Sequence, residues 1–321
     1  MKIGLVLDPV EKINPKKDSS IALASSAMEY GWQCDFLAFS SLKVELRKNK
    51  TTCKAEAARF KKIHLAGEST YFELRNFAST NLSQYDAIVM RKDPPFNEAY
   101  LYATYVLSLT EKINGTLIVN NATMLRDFNE KFLVTHYPNF APASLITQSE
   151  NEIKKFVSEH QKAVIKPLDA MGGESIFILE KSDLNLMSIL ETMLQKYSWV
   201  MVQEFLPEIK NGDIRVLSVN GKVYESAIAR MPHQSDFRGN LARGACSKLH
   251  QLTTEQKQRC SVVATELKEK GVLLIGFDLI GEKLSEINIT SPTCFREYQE
   301  FFNINVGLDL VQAIAEKIKP Q

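Results

Sequence analysis

The segment "GFDLIGEKLSEINITSPT", residues 276 to 293, carries two acids and an amide at a spacing that suits a divalent cation. We predict a ribbon of two strands that turns through residues 281–283, a three-residue loop containing glycine. That register sets Asp278 opposite Glu286. Because side chains alternate between the faces of a strand, Asn288 shares their face. The opposite face is apolar and consists of Ile275, Phe277, Ile287 and Ile289.

Like charges directly opposite each other on a sheet are destabilising, so this pair of acids favours a cation between them. Carboxylate and carbonyl oxygens are the ligands that hard divalent ions take, and Mg²⁺ is commonly bound by one or two carboxylates together with substrate phosphates. The pattern therefore indicates a metal site at Asp278, Glu286 and Asn288. The alternative is a solvated hairpin edge whose charges face water.

Two other segments suit the binding of phosphate. In "KPLDAMGGES", Gly172 and Gly173 allow backbone N–H groups to approach an anion, and Lys166 ends the preceding strand. Lys131 lies in the helical segment "RDFNEKF". The chain has neither the P-loop pattern nor the glycine fingerprint of dinucleotide-binding proteins. An ordinary turn and a solvated helix face are the alternatives.

Two further segments suit a nucleotide and a charged substrate. The stretch "QEFLPEIKNGDIRV" contains Gln203, Glu204 and Asp213, which can hydrogen-bond a base and a sugar, although it can also be a plain connection. Residues 230–248, "RMPHQSDFRGNLARGACSK", form a long polar loop with three arginines, and such loops are commonly functional lids or disordered. Guanidinium groups bind carboxylate and phosphate through a planar fork of donors.

The chemistry indicated by these residues is phosphoryl transfer. The five histidines have no metal-ligand spacing, and no nucleophile elbow or serine triad is visible. The remaining candidates for catalysis are lysines, arginines and a pair of carboxylates. Such groups, with a bound metal ion, stabilise the charge of a transferring phosphoryl group.

Composition indicates an ordinary globular protein with a small ligand. The 321 residues are 45% apolar and 24% charged. The net charge is only +1 and the basic residues are scattered along the chain, so neither a nucleic acid nor a membrane is an expected partner. The five cysteines form no C-x-x-C motif, which favours reduced thiols. No signal peptide and no apolar run of about 20 residues is visible, so we expect a cytoplasmic protein.

The elements that must position these residues change in type near residue 120. Short apolar runs at 3–7, 87–90 and 116–120, with helices at 19–30 and 97–112, predict a doubly wound parallel sheet, an α/β unit. Residues 45–80 are polar and aperiodic, typical of an insertion or a surface hairpin.

The rest of the chain predicts antiparallel α+β structure. The expected elements are a helix at 123–137, a strand, glycine loop and strand at 162–180, a helix at 184–196, a strand at 199–206, a hairpin at Asn220-Gly221 and helices at 254–270 and 304–318.

In this order, the segments resemble the ATP-grasp superfamily and, more closely, the bacterial glutathione synthetases. The resemblance spans nearly the whole chain. It is carried by "DP" followed by "INPKKDSS", "MRKDPPF", "YATY", "LIVNN", "LRDFNEK", "IKPLDAMGG", "FLPEIKNGDIRV", "AR" followed by "RGNLA", "GFDLIG" and "EINITSPTC".

This resemblance implies an N-terminal substrate-binding domain at 1–122, then an ATP-grasp fold of two α+β subdomains at 123–200 and 201–321, with a flexible loop at 230–248. It implies a ligase that joins γ-glutamylcysteine to glycine through an acyl phosphate, with ATP as co-substrate, and releases ADP and phosphate. Two Mg²⁺ ions are implied, with Mn²⁺ as an alternative, and so is a homo-oligomer.

Carried over to this chain, the resemblance implies four groups of site residues. The ATP-binding residues would be Lys131, Lys166, Gly172, Gly173, Gln203, Glu204, Leu206 and Asp213. The metal ligands would be Asp278, Glu286 and Asn288. The catalytic residues would be Arg215, Arg230, Arg238 and Asn240. The substrate-binding residues would be Asp18, Ser19, Arg91, Ser291 and Thr293.

The loop at 230–248 departs from the family pattern. Relatives have glycines where this chain has Gln234, Ser235 and Ala245, whereas Arg238 and Asn240 remain. Fewer glycines restrict the backbone, so loop closure or acceptor choice can differ. Two other functions stay open from the sequence: another ATP-grasp carboxylate-amine ligase, of the D-alanine:D-alanine or glutamate-adding type, and a nucleotide-binding module without turnover.

Overall fold

A computed structural model describes residues 1–65, 70–170, 172–232 and 246–318 of the chain. Within these ranges no helix is both long and apolar enough to cross a membrane. Three sheets and the helices around them make up the fold.

The first sheet contains eight strands of the described chain, and two helices accompany it. The strands are β1 (Lys2–Leu7), β2 (Gln33–Ala38), β3 (Lys43–Arg47), β4 (Lys50–His64), β5 (Tyr71–Leu74), β6 (Ala78–Asn81), β7 (Ala87–Met90) and β8 (Leu117–Val119); the helices are α1 (Ser19–Glu29) and α2 (Glu98–Asn114).

This sheet is mixed: it contains the predicted parallel strands and, at one edge, antiparallel strands. Strands β2, β1, β7 and β8 are parallel neighbours in that order, as predicted. Strand β4 pairs antiparallel with β2 and also with β3, β5 and β6. The segment 45–80 is therefore an edge of hairpins. Because Cys53, Ala55 and Ala57 alternate with less buried residues, one face of β4 can pack on the core.

The second sheet is antiparallel in the order β11-β10-β12-β9. Its part of the chain contains α3 (Ala122–Asp127), α4 (Glu130–Leu133), β9 (Ser144–Thr147), α5 (Glu150–His160), β10 (Lys162–Pro167), β11 (Phe177–Glu180), α6 (Leu186–Tyr197) and β12 (Val200–Glu204). Strand β12 pairs with β10 and β9, so the expected boundary between residues 200 and 201 falls inside a strand of this sheet.

The prediction of one helix over 123–137 is wrong. The chain leaves α3 at Phe128, and the side chain of Asn129 accepts hydrogen bonds from the N–H groups of Lys131 and Phe132. This cap starts α4 as a separate short helix. Strand β9 and helix α5 were not predicted from the sequence.

The third sheet has the order β16-β15-β13-β17-β18, with β14 paired to β13. Its elements are β13 (Asp213–Val219), β14 (Lys222–Val223), β15 (Ser226–Met231), β16 (Cys246–Gln251), α7 (Thr254–Glu269), β17 (Leu274–Ile280), β18 (Lys283–Asn288), α8 (Phe295–Phe302) and α9 (Val306–Ile318). The predicted hairpin at Asn220-Gly221 is present, with both φ angles positive at 50° and 81°. Helix α8 was not predicted.

The first and third sheets pack together, whereas the second sheet has a core of its own. One core cluster joins Ile88 and Leu107 of the first part to Phe277 and Ile287 of the ribbon. The side chain of Asn120, just after β8, bonds the ribbon strands through four hydrogen bonds of 2.7 to 2.9 Å. These contacts fix the position of β17 and β18 relative to the first sheet.

The ribbon has the predicted face and register but a different turn. Asp278 is opposite Glu286, and Gly276 is opposite Asn288. Ile280 is opposite Lys283, so the loop has two residues and not three, and the register shifts by one beyond Asp278. A bulge at Ser285 takes up this shift and restores the predicted pairing. The apolar face is buried, as predicted, at Ile275, Phe277, Ile287 and Ile289.

Candidate active site

A cavity of about 330 Å³ lies between the second and third sheets, and residues of the first part of the chain close one side. This volume is at the lower end of the range for small-molecule sites. The cavity gathers residues from distant segments of the chain. The predicted residues that line it are Lys131, Lys166, Gly172, Gly173, Gln203, Glu204, Leu206, Asp213, Arg215, Arg230, Asp278, Glu286, Asn288, Ser291 and Thr293.

A row of charged residues crosses the third sheet at the floor of the cavity. Arg215 of β13 is the register partner of Asp278 on β17, which is in turn opposite Glu286 on β18. Directly opposed residues on neighbouring strands share a face. The row brings a guanidinium and two carboxylates together on the cavity side of the sheet.

Asp278 is held by two arginines. Arg215 donates to it from Nε (2.6 Å) and Nη2 (2.9 Å), and Nη2 of Arg230 lies 2.9 Å from Oδ1. Nδ2 of Asn288 donates to Oδ2 at 3.2 Å. Burial by itself would raise the pKa of Asp278, but the two guanidinium groups hold that pKa well below its usual range.

The pKa of Asp213, at the start of β13, is shifted in the opposite direction from that of Asp278. Its Oδ2 accepts a hydrogen bond from Nη2 of Arg230, which is its register partner on β15. Burial raises the pKa of Asp213 to about 6, although Arg230 opposes this rise. Arg230 is thus shared between two carboxylates.

Two lysines reach the cavity from the second sheet and from α4. Nζ of Lys131 lies 3.7 Å from Oε1 of Glu286 and donates to the carbonyl of Ala170 at 2.6 Å. Nζ of Lys166 donates to the carbonyl of Ser285, the bulge residue, at 3.2 Å. Burial lowers the pKa of Lys166 to about 8, and Glu286 opposes this effect. Both ammonium groups are therefore close to the acids of the ribbon.

The glycine loop joins β10 to β11 at the edge of the cavity. Gly172 and Gly173 have φ angles of 64° and 74°, in the left-handed region that favours glycine. Backbone N–H groups in such turns are known to bind anions. The position of this loop at the edge of the cavity fits the prediction that it covers bound phosphates.

Strand β12 and the loop after it form the wall of the cavity across from the ribbon. Nε2 of Gln203 donates to the hydroxyl of Ser144 at 3.0 Å, and Oε1 of Glu204 accepts from the N–H of Ala143 at 3.1 Å. Leu206 adds an apolar surface beside them. This combination of polar and apolar groups suits a purine base.

Three of the predicted substrate-binding residues, Asp18, Ser19 and Arg91, come from the first part of the chain. Asp18 caps α1 through hydrogen bonds from the N–H groups of Ser20 (2.7 Å) and Ile21 (3.1 Å). The hydroxyl of Ser19 accepts from the N–H of Phe295 at 3.2 Å, and that of Ser291 donates to the carbonyl of Arg91 at 3.3 Å. Asp18, Ser19 and Arg91 are not among the described residues that line the cavity.

Arg238 and Asn240 lie outside the described residues. The ends of the predicted 230–248 loop are strands, because β15 continues to Met231 and β16 begins at Cys246. Arg230 is paired with Ser247 across these strands. Arg230 therefore belongs to strand β15 of the third sheet and not to a loop.

Two acids that were not singled out from the sequence also lie in the cavity wall. Oε1 of Glu130 accepts hydrogen bonds from the N–H (3.0 Å) and hydroxyl (2.5 Å) of Thr290. Asp93 lines the cavity beside Ser291. Asp93 follows the carboxyl end of a parallel strand, where ligands of α/β sheets commonly bind, and this position was the available signal.

The ribbon residues fit a hard divalent cation. Asp278 and Glu286 supply carboxylates, and the hydrogen bonds of Asn288 to the described residues use Nδ2, which leaves its oxygen for a ligand. Across the part of the chain that the structure describes, no group of three His, Cys, Asp or Glu side chains is placed to hold a metal ion. The third oxygen of the set must therefore come from an amide or from a ligand.

Comparison with solved structures identifies the fold. D-cycloserine synthetase superposes with a TM-score of 0.68 at 12% identity, over 99% of this chain and 100% of that one. D-alanyl-alanine synthetase A of Vibrio cholerae superposes with a TM-score of 0.58 at 15% identity, over 99% and 98% of the two chains. These superpositions show that the chain shares the fold of the two synthetases.

The family follows from closer matches. Residues 1–126 match the N-terminal domain of prokaryotic glutathione synthetase, and residues 130–303 match its ATP-grasp domain. Glutathione synthetase of Vibrio vulnificus strain YJ016 is 38% identical over 322 residues, 100% of this chain and 99% of that protein. Glutathione synthetase of Pseudomonas aeruginosa is 38% identical over 319 residues, 99% and 98% of the two chains.

This chain belongs to the prokaryotic glutathione synthetase family, a family of ATP-dependent ligases. The resemblance inferred from the sequence is thereby confirmed, and the two alternative functions are not favoured.

Proposed function

We propose that the protein forms glutathione from γ-glutamylcysteine and glycine with ATP. The observation that carries the proposal is the convergence of Lys131, Lys166 and the acidic ribbon on one cavity, in a chain of this family. A carboxylate is a poor electrophile, so it must first be activated. The cysteinyl carboxylate attacks the γ-phosphorus of ATP, ADP leaves, and an acyl phosphate forms.

In the proposed nucleotide site, Lys131 and Lys166 bind the phosphates under the loop that contains Gly172 and Gly173. Their ammonium groups are already buried beside the cavity, so little reorganisation accompanies the reaction. The base and ribose are bound by Gln203, Glu204, Leu206 and Asp213. The apolar contact of Leu206 and the acceptors of the acids suit these two parts of a nucleotide.

Asp278, Glu286 and Asn288 would hold divalent metal ions, and we propose two Mg²⁺ with Mn²⁺ as the alternative ion. Such ions supply Lewis-acid stabilisation of phosphate oxygens. Both oxygens of Asp278 accept bonds from Arg215, Arg230 or Asn288. Metal binding at Asp278 therefore requires these groups to turn away from it, and a phosphate in the cavity offers the arginines a new anion.

The second half-reaction joins glycine to the activated carboxyl group. The glycine nitrogen attacks the acyl carbon, phosphate leaves, and the nitrogen loses a proton. We propose that Arg215, Arg230, Arg238 and Asn240 stabilise the acyl phosphate and that Ser291 and Thr293 contact glycine. Nη1 of Arg215 lies 3.3 Å from the hydroxyl of Thr293, so these two groups of residues are adjacent.

The 230–248 segment would exclude water from the acyl phosphate. It has fewer glycines than relatives have in this loop, so its rate of closure can differ from theirs.

We also make proposals about the domain organisation, the oligomeric state and the cellular location of the protein. We propose three structural units, at 1–122, 123–200 and 201–321, and a homo-oligomeric state. We further propose a cytoplasmic location, because Cys34, Cys53, Cys260 and Cys294 are buried free thiols.

The test of this function is formation of glutathione by purified protein with ATP and Mg²⁺, with each substrate omitted in turn. We expect ADP release to require both γ-glutamylcysteine and glycine. A panel of acceptor amines, including D-alanine and glutamate, separates this activity from that of related ligases. Preference for another acceptor, or no glutathione at all, would contradict the proposal.

A further inference from the structure

Glu130, the first residue of α4, bonds to the chain segment that follows the ribbon. Its Oε1 accepts hydrogen bonds from the backbone N–H of Thr290 at 3.0 Å and from the Thr290 hydroxyl at 2.5 Å. The two residues are 160 positions apart in the sequence, and both line the cavity. One carboxylate oxygen therefore fixes the main chain and the side chain of Thr290 together.

The residues on either side of Glu130 bond to the loop after β10. Nδ2 of Asn129, which caps α4, donates to the carbonyl of Leu168 at 2.8 Å. Nζ of Lys131 donates to the carbonyl of Ala170 at 2.6 Å. Three consecutive residues thus join the loop that carries the glycines to the segment after the ribbon.

The segment that Glu130 contacts continues into the proposed glycine contacts, Ser291 and Thr293. The Ser291 hydroxyl donates to the carbonyl of Arg91 at 3.3 Å, and Nη1 of Arg215 lies 3.3 Å from the Thr293 hydroxyl. These two bonds use side chains of the segment, whereas Glu130 also accepts from its main chain. Because a main-chain bond limits how far the next residues can shift, Glu130 constrains the position of Ser291.

The contact between Glu130 and Thr290 lies in the interior of the protein. Burial raises the pKa of Glu130 and the charge of Glu286 adds to this rise, whereas the hydrogen bonds from Thr290 oppose it. Thr290 is only 6% exposed. Removing the carboxylate would therefore leave two buried donors of Thr290 without this acceptor, which is costly.

We propose that Glu130 is a positioning residue for the second half-reaction. Through Thr290 it keeps the segment 290–293 at the distance from Lys131 that attack of glycine on the acyl phosphate requires. The acceptor oxygen of Glu130 performs this role, and its charge is not needed. The inference rests on the proposed function.

The first test is Glu130→Ala, assayed with ATP and γ-glutamylcysteine at saturating concentrations. We expect kcat/KM for glycine to fall by about 10- to 100-fold, because misplaced reacting groups react slowly. The affinity for ADP, measured by calorimetry, should stay that of wild type, since Lys131 keeps its bond to the carbonyl of Ala170. A split between glycine kinetics and ADP affinity separates positioning of the segment from displacement of α4.

Conservative variants test which part of the contact matters. Glu130→Gln keeps an oxygen acceptor in the same place and should restore most of the lost kcat/KM. Thr290→Ser keeps both donors and should behave like wild type, whereas Thr290→Val loses the hydroxyl and should fall about 2- to 10-fold. Because the hydroxyl acts through Glu130, adding Thr290→Val to Glu130→Ala should cause little further loss.

Glu150→Ala is the matched control. Glu150 is also the first residue of a helix, α5, but its side chain is 37% exposed and pairs with Lys154 at 2.7 Å. This substitution removes a carboxylate from an equivalent helix position and should leave the kinetics for glycine unchanged.

Three results would overturn the inference. They are a loss of ADP affinity as large as the loss of kcat/KM in Glu130→Ala, a folded Glu130→Gln as slow as Glu130→Ala, and fully additive losses in the double variant. If Glu130→Ala does not fold, Glu130→Gln and Thr290→Val still test the contact. Absence of glutathione formation by wild-type protein would instead overturn the proposed function.

Discussion

Arg215 and Asp278 form a two-bond ion pair across neighbouring strands, with Nε to Oδ1 at 2.6 Å and Nη2 to Oδ2 at 2.9 Å. Both side chains are less than a tenth exposed. Asp278 also forms an ion pair with Arg230, so one carboxylate interacts with two buried guanidinium groups. The pair therefore has a structural role in addition to any role in binding metal.

Asp278→Ala should destabilise the fold, because it leaves Arg215 without its carboxylate partner. Breaking a buried ion pair by removing one partner typically costs about 3–5 kcal/mol. Thermal or denaturant unfolding measures this loss. The control is Glu180→Ala, which removes the exposed pair with Lys162 at 2.9 Å and should change stability by less than about 1 kcal/mol. Equal stability of the two variants would refute the structural role.

Glu286→Ala should abolish activity and leave the fold intact. Glu286 is opposite Asp278, but its side chain is 20% exposed and its nearest cation, Lys131, is 3.7 Å away. We expect kcat to fall by about 100-fold or more, since charge stabilisation during phosphoryl transfer is lost. A melting temperature close to that of wild type would separate this effect from misfolding. Substantial residual turnover would argue against Glu286 as a metal ligand.

Nucleotide affinity should fall as the pH rises above 8, because the pKa of Lys166 is lowered to about 8. Phosphates favour the ammonium form, which predominates below this pKa and is lost above it. One pH unit above the pKa only about a tenth of the lysine is charged, so ADP should bind about tenfold more weakly near pH 9.

Calorimetric titration with ADP across this range measures the dependence. Lys166→Arg keeps its charge and should remove the slope, whereas Lys162→Arg, at an exposed position on the same strand, should retain it. A slope that persists in Lys166→Arg would assign the titration to another group.

Gly276→Ala should impair catalysis through the segment that follows the ribbon. A Cβ at this position would lie 3.1 Å from Cβ of Pro292 and 3.6 Å from Cδ of Arg215. Overpacking costs about 1–3 kcal/mol, and here it would displace the segment between Ser291 and Thr293, so we expect kcat/KM for glycine to fall about tenfold.

Gly31→Ala is the comparison for this substitution. Its φ is +87° with no atom within 4 Å of the added Cβ, so it should reduce stability and leave kinetics unchanged. Unaltered kinetics in Gly276→Ala would show that the segment adjusts freely.

Asn120→Ala should loosen the contact between the first sheet and the ribbon. The Asn120 amide bonds the backbone of Leu273, Leu274 and Ile289, and its removal leaves four buried polar groups without these bonds. The expected loss is about 3 kcal/mol or more. The neighbouring substitution Asn121→Ala removes only the cap of α3 and should cost about 1 kcal/mol. Unfolding curves should rank the two variants in that order.

The sequence alone determined the apolar face of the ribbon, several strands and the family, because these signals are local or depend only on the order of motifs along the chain. Alternation over residues 275–289 specified which side of the ribbon is apolar, since a strand has a period of two. Continuous apolar runs located β1, β7 and β8. The order of the motifs indicated the family, which the comparisons confirmed.

The tertiary structure decided which residues from distant segments of the chain contact one another in the site. Arg215 is 63 positions from Asp278, so pairing between β13 and β17 could not be read from either segment. The bulge at Ser285 likewise depends on how β18 meets β17, and it turns a carbonyl toward Lys166. The position of the Asp93 carboxylate beside Ser291 likewise depends on how the first part of the chain packs against the segment after the ribbon. Local patterns specify faces and turns, whereas long-range register depends on the packing of the whole chain.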